Sequence, residues 1–280
     1  MDFIHLAQIA INAALAAGKI IQQSMNSDVS VEKKNGGDSY ASQVVTQVDK
    51  DCETVILSHL QASCDQYNIA LLSEETVDDG SRFREDYFWC IDPMDGTLAF
   101  INKLPGFSVS IALVAKDGTP YIGVVYDPST DVIYHAIRGN GAYKNDRPWK
   151  INNSNKHLSY LTDRKLKDSP RLDEITNLLN EQVAKLSLDG FKAIDGSGSV
   201  MNAIYVLENG PAYMFKFPKK ENGGGSIWDY AATACIYHEL GLVATNFKGG
   251  RLDLNRKDDS FMNHQGVYFA NLTLALQPNN

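Results

Sequence analysis

Two aspartates three residues apart, Asp92 and Asp95, close an apolar run in Trp89-Cys90-Ile91-Asp92-Pro93-Met94-Asp95-Gly96-Thr97. Phe88 to Ile91 reads as a buried strand that Pro93 stops, and Gly96-Thr97 open Leu98 to Ile101 as a short helix. A strand end thus brings two anionic oxygen ligands beside backbone N–H groups that face an anion. This pairing suits a hard divalent cation holding a phosphate ester. Two further acidic sites follow the same plan. Glu74-Glu75 come directly after the apolar strand Ile69-Ala70-Leu71-Leu72, and Asp229 lies in the first turn of a helix from Trp228 to Leu240. A lone Asp in that position commonly serves the helix dipole, whereas ligands of α/β sheets gather at strand ends.

Glu74, Asp92, Asp95 and Asp229, with the Met94 carbonyl, make a candidate set of oxygen donors without His or Cys. Such a set selects Mg²⁺ or Mn²⁺ over zinc. Its charge exceeds that of one ion, so two or three ions are expected; a pair ~3.5–4 Å apart could clamp both oxygens of an in-line displacement. Thr46 and Asp49, at the start of another helix, read either as a capping pair or, with Thr97, as a relay that takes a proton from water.

The elements that must position these groups follow from periodicity. Residues 3–25 place Leu6, Ile9, Ala10, Ala13, Ala17, Ile20 and Ile21 on one face of an amphipathic helix. Residues 32–43 are polar and glycine-bearing, a loop, and a second helix runs from Thr46 to Leu60. Residues 107–143 alternate at period two with turns at Asp117-Gly118 and Arg138-Gly139-Asn140-Gly141, an antiparallel meander. Beyond residue 150 helices (Arg171–Leu186, Ser199–Leu207, Trp228–Leu240) alternate with strands (Ala212–Phe217, Leu242–Phe247, Gly266–Ala270). The expected architecture is α/β (α+β): an N-terminal antiparallel-sheet half over 1–150 carrying most of the acids, and a C-terminal α/β half over 151–280 carrying Asp229.

The chain of 280 residues has 44% hydrophobic and 21% charged residues and a net charge of −8. No broad basic face is available for a nucleic-acid polymer, but acidity does not exclude a small phosphorylated metabolite, because a bound cation reverses the local sign. The four cysteines include no C-x-x-C pair, which argues against a disulfide framework or structural zinc. With no basic leader and no apolar run near the ~20 residues of a membrane span, the expectation is a cytoplasmic protein.

Leu72-Ser73-Glu74-Glu75, Asp92-Pro93-Met94-Asp95-Gly96-Thr97 and Trp228-Asp229-Tyr230-Ala231-Ala232, in that order, resemble the three signatures of the inositol monophosphatase superfamily. That superfamily includes 3'(2'),5'-bisphosphate nucleotidases and some fructose-1,6-bisphosphatases. The resemblance covers nearly the whole chain and implies a layered αβαβα sandwich. It also implies Mg²⁺-dependent, lithium-sensitive hydrolysis of a phosphomonoester by direct attack of water. By position, Glu74, Asp92, Asp95, Asp229 and the Met94 carbonyl would hold metal, and Thr97 with Asp49 would activate water. The Gly96 and Thr97 amides would hold phosphate and Glu75 would support the site. Apart from the resemblance, Ser199 and Lys216 are candidate substrate contacts, and Lys216 reads either as the answer to a second phosphate or a sugar acid or as a solvated surface lysine. Many members are homodimers; the strands of 107–143 would then be the contact.

The substrate is read from departures. Inositol monophosphatases continue the DGT with Thr-Asn-Phe and carry a substrate-binding Glu before Trp-Asp; this chain has Leu98-Ala99-Phe100 and Phe215-Lys216-Phe217. The nucleotidases often have a Lys where Leu98 stands. Yet Leu71-Leu72-Ser73-Glu74-Glu75 and the tail Leu252-Asp253-Leu254-Asn255 to Ser260-Phe261-Met262-Asn263 are similar to the nucleotidases. The lean is therefore to 3'-phosphoadenosine 5'-phosphate, with inositol phosphate or another sugar or polyol phosphate as the alternative. Lys219-Lys220-Glu221-Asn222-Gly223-Gly224-Gly225 is an insertion for both groups, either a lip over the pocket or a long loop. A haloacid-dehalogenase-type phosphatase would need a nucleophilic Asp where Pro93 stands and is rejected. A non-catalytic metal- and phosphate-binding regulator remains a rival, countered by the presence of every ligand and of the Asp49–Thr97 pair.

Overall fold

The computed structural model describes residues 1–25, 31–33 and 44–272. Most of the expected loop 32–43, residues 34–43, therefore lies outside the described residues. The first helix, α1 (Phe3–Ser24), starts where the Asp2 carboxylate accepts the amides of Ile4 and His5. It is long and apolar enough to cross a bilayer by length and composition, which corrects the expectation of no such run. Its face of Leu6, Ala10, Ala13, Ala14, Ala17 and Ile21 is buried in the core, as in a soluble domain's core helix.

Strands β1 (Val31–Lys33) and β2 (Val44–Thr46) form a small antiparallel pair that feeds α2 (Gln47–Tyr67). That helix runs past the expected Leu60 because Ser63 continues its buried face; Asn68, left-handed at φ 55°, ends it. Next come β3 (Ala70–Ser73), β4 (Tyr87–Asp95), α3 (Thr97–Ile101), β5 (Ser108–Ala115), β6 (Pro120–Asp127), β7 (Val132–Ile137), β8 (Gly141–Lys144) and β9 (Arg147–Pro148). They make a seven-stranded sheet in chain order, antiparallel except for the β3–β4 pair.

The remainder holds β10 (His157–Thr162), α4 (Leu172–Lys185), β11 (Gly190–Asp195), α5 (Ser199–Glu208), β12 (Ala212–Lys216), α6 (Ile227–Glu239), β13 (Val243–Thr245) and β14 (Val267–Ala270). Its sheet has the order β11-β10-β12-β14-β13, parallel through the first three strands. Neither β10 nor β11 is assigned by periodicity, since β11 is a largely exposed edge strand.

Packing sorts these parts into layers. α1 and α2 cover one face of the seven-stranded sheet through Ile21, Ile56, Trp89 and Ile111. Between the sheets lie α5 and α6, whose Val200, Met201, Ile204, Ala231 and Cys235 meet Phe88 and Val125 on one side and Leu161 and Phe269 on the other. α4 covers the outer face of the second sheet through Ile175 and Leu179. The result is the expected αβαβα sandwich. α6 lies between β12 and β13 of the second sheet in sequence but packs against β5, β6 and β7 of the first. That crossing of the chain carries Asp229 to the acids of β4. All four cysteines are unbridged.

Candidate active site

Pro93 does not stop β4, contrary to expectation: the strand continues to Asp95 through a break in register, with Asp92 opposite Ser110 and Asp95 opposite Ser108. In a regular strand, residues three apart face opposite sides. A bulge re-aims them, and proline suits it because it has no N–H to lose from the ladder. The Met94 amide donates to Asp92 Oδ1 at 3.0 Å, so the turn is held by the acid it presents. β3 ends beside this point, Ser73 opposite Ile91, and the Glu74 amide donates to the Ile91 carbonyl at 3.2 Å. Asp229 arrives on α6, where its Oδ2 accepts the Ser226 amide at 2.9 Å in a capping box. The Ser110 hydroxyl donates to the Trp228 carbonyl at 3.1 Å, which fixes the helix start on the residue paired with Asp92.

Asp92, Asp95 and Asp229 thereby present carboxylate oxygens that all lie within 4.8 Å of one another. Burial, then the charges of Glu74, Asp95 and Asp229, push Asp92 far above the ordinary carboxylate range. Burial and Asp229 do the same to Asp95. Asp229 rises to about 6, through burial and Glu74, with Lys216 opposing. Crowded buried anions are unfavourable without a counter-charge. An all-oxygen donor set of this charge fits a hard divalent cation.

A test follows from the direction of these shifts. Asp229 sits near 3.8 when unperturbed and about 6 in the fold, so its contribution to stability is complete below the lower value. It is lost as pH rises through the higher one. Asp92 and Asp95 act in the same sense. A divalent cation held by this cluster would need its carboxylates ionised, so if the cluster is a cation site Mg²⁺ should raise Tm more at about pH 8 than at about pH 5. Equal shifts at both would mean that these carboxylates are not its seat.

Asp49 uses its two oxygens separately, one for the helix cap and one for Thr97. Oδ2 accepts the Thr46 amide at 2.8 Å and its hydroxyl at 2.6 Å, capping α2, while Oδ1 accepts the Thr97 hydroxyl at 3.0 Å. Burial raises the Asp49 pKa against the lowering effect of Thr46, making it a better proton acceptor. The Met94 carbonyl lies 3.1 Å from Thr97 Oγ1 as an alternative acceptor. Gly96 has φ 84°, and a Cβ there would come within 2.6 Å of the Gly106 carbonyl, so only glycine makes this turn. The amides that open α3 lack partners within the helix.

On the opposite side, the start of α5 clasps Asp95: the Ser199 amide donates to Oδ1 at 3.2 Å and the Val200 amide to Oδ2 at 2.9 Å. Gly198 makes this possible, since a Cβ there would fall 2.1 Å from Asp95 Oδ2. Lys216 and Ser199 are brought together. The ammonium pairs with Asp163 Oδ2 at 2.5 Å, donates to Ser199 Oγ at 2.8 Å, and acts on Asp229 through its charge. Burial is the largest single effect and opposes that charge, but Asp163, Tyr230 and Asp229 together outweigh it and hold Lys216 above the ordinary lysine value. Its side chain is 18% exposed, which excludes a solvated surface lysine. Glu75 is outside the triad of aspartates and acts on Lys50.

Sequence reasoning missed Asp163, Glu53 and Gly198, none of which stands in a motif. The 219–225 insertion is pinned down: the Lys219 amide donates to the Asn263 carbonyl, and Asn263 Nδ2 to the carbonyls of Lys220 and Glu221.

The family model described as the inositol monophosphatase family matches residues 4–277. The chain belongs to that family. Inositol monophosphatase 2 of Solanum lycopersicum is 28% identical over 90% of this chain and 91% of its own. Nus factor SuhB of Escherichia coli K12 is 30% identical over 88% and 86%. SaIMPase-II of Staphylococcus aureus has been solved with inositol monophosphate bound (24% identity, TM-score 0.67, 95% of this chain and 89% of that one). It has also been solved with 2'AMP bound (24%, 0.68, 95% and 90%). As an inositol monophosphatase family member the protein is a phosphoric monoester hydrolase, and metal dependence is typical of the family.

Proposed function

We propose that this phosphatase is Mg²⁺-dependent and prefers a nucleotide that carries a second phosphate, 3'-phosphoadenosine 5'-phosphate or a close relative. The observation that carries this reading is the Lys216 ammonium beside the carboxylate cluster, where inositol-specific relatives are expected to place an acid. A cation there suits a second anion and disfavours a bare polyol hydroxyl. A cleft of about 240 Å³ opens beside Glu74, lined also by Trp228, Lys257 and Ser260 and not by Lys216 or Ser199. Inositol monophosphate is the second reading, supported by its presence in SaIMPase-II.

Glu74, Asp92, Asp95, Asp229 and the Met94 carbonyl would hold the metal, as two or three Mg²⁺, with Mn²⁺ as substitute. When bound, it supplies counter-charge and Lewis-acid polarisation of the phosphoryl oxygens. The chain's own residues do the rest. Thr97 Oγ1, its proton directed to Asp49, accepts a hydrogen bond from the attacking water, and Asp49 takes up the displaced proton. The Gly96 and Thr97 amides face the equatorial phosphoryl oxygens, where charge spreads in the transition state. Ser199 and Lys216 bind the far side of the ester, and Glu75 supports the site from outside it. Residues 1–150 and 151–280 form two halves, the first carrying most of the metal ligands and the second Asp229 and the substrate contacts. The unbridged cysteines accord with a reducing compartment such as the cytoplasm.

A substrate panel with Mg²⁺ tests this directly: phosphoadenosine phosphate, AMP, inositol monophosphate, fructose bisphosphate and histidinol phosphate. Lys216→Ala should cut kcat/KM about ten- to hundredfold for the bisphosphate nucleotide and far less for AMP, the worth of one charged contact. An equal loss on both substrates would rule out a second-phosphate contact. No turnover of any phosphomonoester would return the regulator reading.

A further inference from the structure

The face of α2 that carries Asp49 carries a second buried acid one turn later, Glu53, only 8% exposed. Its Oε1 accepts the Ser73 hydroxyl, and its Oε2 accepts the Thr76 hydroxyl at 3.0 Å. The carboxylate therefore grips the chain immediately before and just after Glu74-Glu75. Ser73 is itself buried as the last residue of β3, and the intervening Glu74 amide is tied to the Ile91 carbonyl of β4. Glu74 is thus fixed at its backbone by one neighbour and along its flanks by another.

Joining α2 to β3 does not need a carboxylate. An apolar side chain of similar volume would do so without desolvating a charge. A carboxylate is worth burying where direction matters, because two hydroxyls bound at once set the path of the turn between them. That path decides where the Glu74 side chain points, and Glu74 acts on both Asp92 and Asp229.

We propose that Glu53 is a positioning residue, holding Ser73 and Thr76 so that Glu74 faces the Asp92–Asp95–Asp229 cluster and completes the cation site. The same helix then serves the site twice: Asp49 for the water, Glu53 for the cation. This inference rests on the cluster being a divalent-cation site.

The test is calorimetric titration of the metal-free protein with Mg²⁺, on wild type, Glu53→Gln and Thr76→Val, with Tm in EDTA recorded alongside. Glu53→Gln keeps the shape but replaces one acceptor by a donor. It should weaken Mg²⁺ binding about tenfold. Thr76→Val, at an exposed residue where folding is not at stake, should weaken it about threefold or more. A simple brace between α2 and β3 would lower Tm in EDTA and leave the affinity alone, so smaller losses in both variants overturn the proposal. If Glu53→Gln does not fold, Thr76→Val decides by the same threshold. Wild type that binds neither Mg²⁺ nor Mn²⁺ overturns the cation site and this inference together. Equal binding by all three proteins overturns only the role of Glu53.

Discussion

Asp229→Asn is expected to stop phosphate release while making the metal-free protein more stable. The two effects share one cause. The first-turn carboxylate is pressed into a buried anionic cluster, and its pKa of about 6 against an unperturbed 3.8 measures the cost of ionising it there. At about pH 7.5 that cost is of the order of 2 kcal/mol after allowance for partial exposure. Asparagine removes it and keeps an oxygen for the Ser226 amide that caps α6. Metal-free Tm should therefore rise by roughly 4 °C or more, a trade of stability against activity that active sites commonly make. Activity should fall by about 10³-fold or more, since the variant would lose a ligand of the proposed cation, whose charge offsets that of the phosphoryl transition state. Melting in EDTA and phosphate release in Mg²⁺ together decide the matter. A variant that is both less stable without metal and still active would show that Asp229 is a capping residue and nothing more.

The second large effect concerns the proton. Thr97→Val removes the hydroxyl placed against Asp49 Oδ1 while leaving the Thr46–Asp49 cap untouched. A drop in kcat of about 10²–10⁴, the usual worth of positioned acid–base groups, is expected with little change in KM or Tm. Asp49→Asn should cost a similar amount. Because the two act as one device, the double variant should be hardly worse than either single one. Thr97→Ser restores the hydroxyl and should recover most of the rate. If the two losses multiply in the double variant, the groups act independently and water is activated in another way.

The parts of this site that were legible in the sequence are those written as local pattern. Asp92, Asp95 and Thr97 announce themselves because an apolar run ends on them, and Asp229 because it is an acid in the first turn of a helix. Alternation at period two gave the meander of β5 to β7 for the same reason: each strand hides one face. Pro93 misled, because a proline within a strand signals a stop by local rules, and only pairing with β5 reveals the bulge that turns Asp92 and Asp95 together. Strand β11 was hidden because it is a largely exposed edge strand and so shows no apolar alternation, and β10, buried from Leu158 to Leu161, offers a run too short to show a period. Glu53, Asp163 and Gly198 could not be read at all. Each is defined by a partner at a distance: Ser73 for the first, Lys216 for the second, Asp95 for the third.

The clasp of α5 on Asp95 has a wider meaning for how such a protein can change. One oxygen pair belongs at once to the strand that delivers it and to amides from the far layer, with no room at Gly198 for even a methyl group. Drift in the packing beneath α5 therefore shifts the Asp95 carboxylate as well. The second sheet is held to its shape by chemistry as firmly as by its own hydrophobic interior.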